Sequence, residues 1–128
     1  MSTVSMSCPC CSNLAYINCC GPFHTNKANP ASPEAMMRSR YAAYVLHLID
    51  YLVATTHAET RNLYRKKDIE NWSKQNLWLK LEIISATKDK VEFKAYYQHD
   101  SKNFIHHENS TFKMENKRWY YLNGEHFN

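Results

Sequence analysis

Apolar residues between Ser32 and His57 recur at spacings of three and four, as on one face of an amphipathic helix. The residues of this face are Met37, Tyr41, Tyr44, Val45, Leu48 and Leu52. Ser32, Pro33 and Glu34 supply an N-cap, a proline at the first helical position and an acidic residue in the first turn. The pattern predicts one long helix that begins at Pro33 and ends near residues 55–57.

From Trp78 onward the period changes from the helical value to two, which is typical of strands. Alternating segments around residues 78–83 and 91–97 are followed by segments 104–114 and 118–122, with turns predicted near residues 88–90, 99–102 and 115–117. Residues 60–76 predict one or two short surface helices. Helices followed by an antiparallel meander indicate an α+β fold, in which a curved sheet wraps the long helix in a cone-like arrangement.

Composition excludes several classes of protein. The 128 residues carry 16 Lys and Arg against 12 Asp and Glu, a net charge of +4 that is too small for a strongly basic nucleic-acid-binding protein. Only 2 glycines are present, too few to build a glycine-rich phosphate loop. The most apolar stretch, residues 41–56, is too short and too polar to span a bilayer. Residues 1–7 show no secretory signal, which favours a cytoplasmic protein.

All 5 cysteines fall between Cys8 and Cys20, in a segment without helical or strand periodicity. Four thiolates in the spacing C-x-C-x8-C-C can close on one structural Zn²⁺ ion, and the candidate ligands are Cys8, Cys10, Cys19 and Cys20. Cys11 is the better candidate for the spare thiol, and His24 is a substitute ligand if Cys20 points away. The alternatives are unliganded thiols in a mobile tail, or a disulfide, which is rare in the cytosol.

This spacing resembles the SEC-C motif, a zinc module first described at the C-terminus of the SecA translocation motor. With the segment Met37-Arg38-Ser39-Arg40-Tyr41, the pattern His107-Glu108-x-Ser110-x-Phe112 and Arg118-Trp119-Tyr120-Tyr121, the chain resembles the YchJ family of uncharacterised bacterial proteins. The resemblance implies a zinc knuckle with its linker in residues 1–27 and a nuclear transport factor 2-like domain in residues 28–128. The family usually has glycine at the position of Cys11. Many members carry a second zinc module, but no cysteine follows Cys20 in this sequence.

Strand alternation places Glu108 on the face of its segment that also carries Phe112 and Met114, so its carboxylate is expected inside the cone. A buried carboxylate requires a partner. We expect Arg40 to pair with Glu108, with Tyr44 and His57 completing a polar lining. His106 and His107 could suggest a second metal site, but adjacent residues of a strand point to opposite faces and cannot share one ion.

Two functions are compatible with these features. The first is a non-enzymatic zinc module that docks the cone domain, as a scaffold, onto a protein, ribosomal or nucleic-acid partner. The second is a small-molecule binder or enzyme that uses a pocket lined by Arg40, Tyr44, His57 and Glu108. A cavity that reaches Glu108 favours the second function, whereas a cone filled by Tyr and Phe side chains favours the first.

Overall fold

The structure, a computed structural model, describes residues 6–127. The expectation about a secretory signal concerned residues 1–7, and residues 1–5 lie outside the described part. The elements, in chain order, are α1 (Gly21–His24), α2 (Pro33–Leu46), α3 (Ile49–Ala54), α4 (Lys66–Lys74), β1 (Leu77–Ala86), β2 (Lys90–His99), β3 (Lys102–Glu115) and β4 (Arg118–His126). Short 3₁₀ turns occupy Tyr16–Asn18 and Arg61–Leu63. Within residues 6–127, no helix is long and apolar enough to cross a membrane.

The strands form one antiparallel meander in the order β1-β2-β3-β4, so the predicted α+β architecture is confirmed. Two-residue turns join the last three strands, and Asp100, Ser101, Asn116 and Lys117 all adopt positive φ values between 52° and 65°. Such turns match the right-handed twist of the strands they connect. The helices pack on one face of this sheet. The apolar core between them contains Met36, Met37, Tyr41, Leu81, Val91, Phe93, Ala95, Phe112 and Tyr121.

The prediction of one unbroken helix from Pro33 to residues 55–57 is wrong, because the helix ends at Leu46. His47 adopts the left-handed conformation (φ 60°, ψ 40°), and the Leu48 amide donates to the Ala43 carbonyl at 2.9 Å, a common way to terminate a helix. The Ser73 hydroxyl from α4 donates to the Tyr44 carbonyl at 2.8 Å. The apolar period continues through the break because α3 also buries Leu52, so periodicity alone could not reveal it.

The face of β3 that was predicted to point into the core is buried at the centre of the strand and exposed at its ends. Glu108, Ser110 and Phe112 are buried beneath the helices. Phe104 and Met114 remain 41% and 48% exposed, because the helices do not cover the ends of this long strand.

In β1 the alternation is interrupted, so one predicted core position is exposed. The register of β1 against β2 shifts between Trp78 and Lys80. As a result Leu79, one of the alternating apolar residues in segment 78–83, is 48% exposed, whereas Trp78 and Ile83 pack against the core. A β-bulge of this kind re-aims side chains and is not visible in the apolar pattern.

Candidate metal centre and ligand cavity

The structure brings Cys8, Cys10, Cys19 and Cys20 together, with all four sulfur atoms within 4.8 Å of one another. Cys8 and Cys10 come from a loop that is closed by a hydrogen bond from the Cys8 amide to the Leu14 carbonyl (2.8 Å). The adjacent pair follows the 3₁₀ turn at Tyr16–Asn18 and leads into α1. The cluster is therefore assembled by local chain reversal.

The cluster has the dimensions of a closed metal site. A tetrahedral Zn–S₄ centre with bonds of about 2.3 Å has sulfur–sulfur separations of about 3.8 Å. The Cys10–Cys19 and Cys19–Cys20 pairs are separated by 3.6 and 4.0 Å. All cysteines are free thiols, so no disulfide competes for these sulfurs. Four sulfur ligands can hold one metal ion and leave no open coordination position.

The electrostatics of the thiols concentrate negative charge on Cys10. A hydrogen bond from the Cys20 thiol lowers the pKa of Cys10 to about 4, although burial opposes this change. The same contact, together with burial, raises the pKa of Cys20, and burial raises the pKa of Cys8 to about 11. A bound cation has to displace the protons of these two thiols.

Two side chains anchor the cysteine module on α2. The Arg38 guanidinium donates to the Cys10 carbonyl at 2.8 Å and also pairs with Glu34. His24 bridges the Tyr16 hydroxyl and the Ser39 carbonyl through its two ring nitrogens, at 2.5 and 2.8 Å. His24 is therefore occupied in docking the module, and the structure does not place it among the sulfur ligands.

A second feature is a cavity of about 310 Å³ between the helices and the sheet. Its walls are mainly aromatic and its mouth lies near the exposed residues Leu63 and Asp68. The aromatic walls are contributed by Tyr41, Tyr44, Tyr64, Trp72, Trp78, Phe93 and Tyr121. Arg40 and Glu108 both reach this cavity, as the sequence predicted for two of its polar residues.

Glu108 is buried and accepts hydrogen bonds from three sides. The hydroxyl groups of Ser110 and Tyr121 donate to Oε2 at 2.7 and 2.9 Å, and Nε2 of His106 lies 2.7 Å from Oε1. Burial alone would raise the pKa of Glu108, but these hydrogen bonds outweigh burial and lower the pKa below its ordinary value. The carboxylate is consequently ionised at neutral pH.

The predicted direct ion pair between Arg40 and Glu108 does not form. Nη1 of Arg40 instead donates to the Leu52 carbonyl (3.0 Å) and the Thr55 hydroxyl (2.7 Å). The guanidinium lies 4.6 Å from the centre of the Tyr121 ring, and the hydroxyl of that ring donates to Glu108. The two charges are thus connected through Tyr121.

Tyr44 and His57, the other two predicted lining residues, separate in the structure. Tyr44 contributes to the cavity wall, and burial raises the pKa of its hydroxyl group. His57 is buried elsewhere, where Nε2 contacts Glu115 at 2.5 Å and Nδ1 accepts from the Glu59 amide at 3.0 Å. The break in the helix shifts His57 away from the cavity, so it is not part of the lining.

Comparison with known proteins agrees with this architecture. Residues 32–124 match the family model described as the YchJ middle NTF2-like domain. The chain belongs to the YchJ family. It is 40% identical over 121 residues to a UPF0225 protein of Haemophilus influenzae, covering 91% of this chain and 75% of that protein. A UPF0225 protein of Vibrio vulnificus is 40% identical over 127 residues, covering 94% of this chain and 75% of that protein.

Two solved structures of SEC-C motif containing proteins show the same fold. The solution structure of a SEC-C motif containing protein from Rhodopseudomonas palustris has a TM-score of 0.87 and 38% identity, covering 96% of this chain and 100% of that one. The crystal structure of a SEC-C motif containing protein from Psychrobacter arcticus has a TM-score of 0.81 and 35% identity, covering 92% and 81% of the two chains. The predicted resemblance to both the YchJ family and the SEC-C motif is confirmed.

Cys11 lies outside the cluster of four cysteines in this YchJ-family chain. Its side chain is exposed, and its sulfur accepts a hydrogen bond from the Leu81 amide at 3.4 Å. Its backbone has a φ of 69°, a conformation that favours glycine. The backbone conformation at Cys11 is therefore one that suits the glycine that the resemblance led us to expect there.

Sequence reasoning missed two residues beside Glu108. The sequence placed the end of the last strand at Leu122, whereas β4 continues to His126 and pairs it with Glu108. Gly124 faces the Glu108 carboxylate so closely that a Cβ atom at this position would overlap it. The available signal was a glycine near the end of the last predicted strand in a sequence with only 2 glycines. A glycine inside a strand often marks a site where another group approaches the backbone closely.

We expect Cys11→Gly to leave the number of bound metal ions per chain unchanged. The unfolding temperature should stay equal or rise, since glycine relieves the positive φ at a cost of one weak hydrogen bond to sulfur. Metal analysis and thermal unfolding monitored by circular dichroism provide the measurement. A loss of metal in this variant would show that Cys11 is a ligand.

We expect Gly124→Ala to destabilise the fold by about 1–3 kcal/mol, because the added methyl group displaces the Glu108 carboxylate from its buried hydroxyl donors. Urea unfolding of this variant and of Asn123→Ala, an exposed neighbour in the same strand, gives the comparison. Equal stability of the two variants would contradict the close packing of Glu108 against the Gly124 backbone.

Proposed function

We propose that this YchJ-family chain is a zinc-stabilised protein that binds a small molecule with an aromatic or apolar body in its cone domain. The observation that carries this proposal is the cavity of about 310 Å³ that reaches Glu108. A cone built only as a scaffold would be filled by its own side chains, as protein interiors are close-packed. The volume lies at the lower end of the range for ligand pockets, which favours a small ligand.

The cavity walls favour recognition of a flat ring. Trp72 packs edge-to-face against Trp78 and Tyr97, with ring centres 5.4 and 5.1 Å apart. Tyr44 packs on Trp78 at 5.6 Å. Rings fixed by their neighbours in this way present rigid apolar surfaces, and little side-chain freedom is lost when a ligand binds.

The polar groups of the cavity favour a ligand with one polar end. The hydroxyl donors of Ser110 and Tyr121 occupy Oε2 of Glu108, and Nη1 of Arg40 is held by backbone and threonine oxygens. Both charges are therefore held in place before a ligand binds. Fixed charges of opposite sign in an apolar pocket can orient a ligand without rearrangement of the protein.

Zinc is the metal that we assign to Cys8, Cys10, Cys19 and Cys20. Support comes from the sulfur-only ligand set, the sulfur–sulfur spacing and the similarity to two solved SEC-C motif containing proteins. A site with four protein ligands is structural. Its contribution to ligand binding is indirect, since the module is anchored through Arg38 to the helix that carries Arg40.

Docking of the cysteine module on a protein, ribosomal or nucleic-acid partner stays a prediction, as does a cytoplasmic location. Leu14 and Ile17, on the module, are 54% and 67% exposed and are the apolar side chains available for a protein contact. The cavity gives stronger support to ligand binding, because it combines apolar walls with oriented charges.

The ligand-binding proposal is tested by filling the cavity. Ala95 is 3% exposed and lines the cavity, so Ala95→Leu should occupy the space without loss of stability. In a filled core the same change would cost about 1–3 kcal/mol. With indole as the probe, a ¹⁵N NMR titration should shift the indole N–H signals of Trp72 and Trp78 in the wild type and leave them unchanged in Ala95→Leu.

The control is Lys94→Leu, which adds a leucine to the opposite face of the same strand and should leave indole binding unchanged. Absence of binding to the wild type, or equal binding to wild type and Ala95→Leu, would contradict the proposal.

The zinc assignment is tested by metal analysis of protein purified without added zinc. After dialysis against a weak chelator, the cysteine cluster should retain one zinc ion per chain. Cys19→Ser should weaken zinc retention by at least about tenfold, whereas Cys11→Ser should retain zinc as the wild type does. Equal retention by both variants would refute the assignment.

A further inference from the structure

The residues that line the cavity include a second group of potential metal-ligating side chains, contributed by two strands. His106 and Glu108 are two residues apart in β3 and therefore point to the same face. The pairing of β3 with β4 places His126 opposite Glu108. The three potential ligand atoms lie within 4.8 Å of one another, and all three side chains line the cavity.

We propose that His106, Glu108 and His126 bind a divalent first-row transition-metal ion. Two imidazoles and one carboxylate are a ligand set used for Zn²⁺ and Fe²⁺ sites that keep open coordination positions. At bond lengths of about 2.1 Å, neighbouring ligand atoms lie about 3.0–3.4 Å apart. Oε1 of Glu108 lies 2.7 Å from Nε2 of His106 and 3.4 Å from Nε2 of His126, so only a small adjustment is needed.

The surroundings of Glu108 support an ion at Oε1. The hydroxyl groups of Ser110 and Tyr121 both donate to Oε2, which fixes the orientation of the carboxylate and leaves Oε1 directed at the two imidazoles. Hydrogen bonds of this kind around a ligating carboxylate are typical of metal sites. Gly124 leaves room for the same carboxylate, because a Cβ atom at this position would overlap it. The Glu108 carboxylate is thus positioned before a metal ion binds.

His107 provides the internal comparison. It is the neighbour of both His106 and Glu108 in the chain, but it points to the opposite face, where Nε2 contacts Glu92 at 2.7 Å. The expectation that His106 and His107 cannot share an ion therefore holds. What the strand pattern did not include is the ligand from β4.

The proposed ion also indicates which charged group a small molecule bound in the cavity should carry. The two positive charges of the ion and the charge of Arg40 together exceed the negative charges of Glu108 and Asp68, so the cavity is net positive, and three protein ligands leave coordination positions open. Among aromatic ligands, this favours one that carries a carboxylate. The preference for a carboxylate rests on the proposed function of the cavity, whereas binding of the ion does not.

The test uses the full chain with its cysteine site already filled by zinc, so that Co²⁺ added as the probe can report the second site. Isothermal titration calorimetry should show one Co²⁺ ion bound per chain. Because thiolates are not involved, the spectrum should lack an intense sulfur-to-cobalt charge-transfer band. His126→Gln should weaken Co²⁺ binding by at least about tenfold, and His107→Gln should bind as the wild type does. His126 is exposed, so its substitution carries little risk to folding.

Absence of Co²⁺ binding to the zinc-loaded wild type, or equal affinity of His126→Gln and His107→Gln, would overturn the metal site. In a second experiment, benzoate and benzylamine are titrated separately, with and without Co²⁺. Co²⁺ should tighten the binding of benzoate and leave the binding of benzylamine unchanged or weaker. Indole binding by a wild-type chain that binds no Co²⁺ would refute the metal site and leave the ligand-binding function standing. Co²⁺ binding without binding of any aromatic probe would refute the function of the cavity and leave the metal site standing.

Discussion

Tyr121 is the link on which the arrangement of sheet and helices depends. Its backbone amide donates to the Thr55 carbonyl and its own carbonyl accepts from the His57 amide, both at 2.8 Å, which joins β4 to the end of α3. Its hydroxyl group donates to Glu108, and the Arg40 guanidinium lies over its ring in a cation–π contact. Burying two opposite charges is costly unless each is satisfied. Tyr121 contacts both the Glu108 carboxylate and the Arg40 guanidinium, from a strand that the helices cover.

The demands of Arg40 also account for the shape of the helical layer. Nη1 of Arg40 requires acceptors within the protein, and it finds them at the Leu52 carbonyl and the hydroxyl groups of Thr55 and Thr56. These groups lie at the C-terminal end of α3, where carbonyls lack partners within the helix. A continuous helix could not bring this end back to Arg40. The left-handed residue His47 provides the reversal that makes the contact possible.

Helix α2 is shared by the two halves of the molecule. Arg38 and Arg40 are two residues apart and so point to different sides of the helix. Arg38 reaches the Cys10 carbonyl of the cysteine module, and Arg40 reaches the cavity. Ala42, on the same helix, packs against the buried cysteines. The folded cysteine module therefore fixes the helix from one side, while the sheet fixes it from the other.

The sequence predicts the order of helices and strands, the turns and the grouping of four cysteines, because these features depend on local periodicity and short-range chain reversal. It also placed Glu108 inside the cone, since strand alternation assigns a face to each residue. Only the folded structure reveals the partners of Glu108 and Arg40, the end of the helix at His47 and the position of His126 beside Glu108. Those features depend on which atoms of distant segments compete for the same hydrogen-bonding groups. No periodicity within a single segment records that competition.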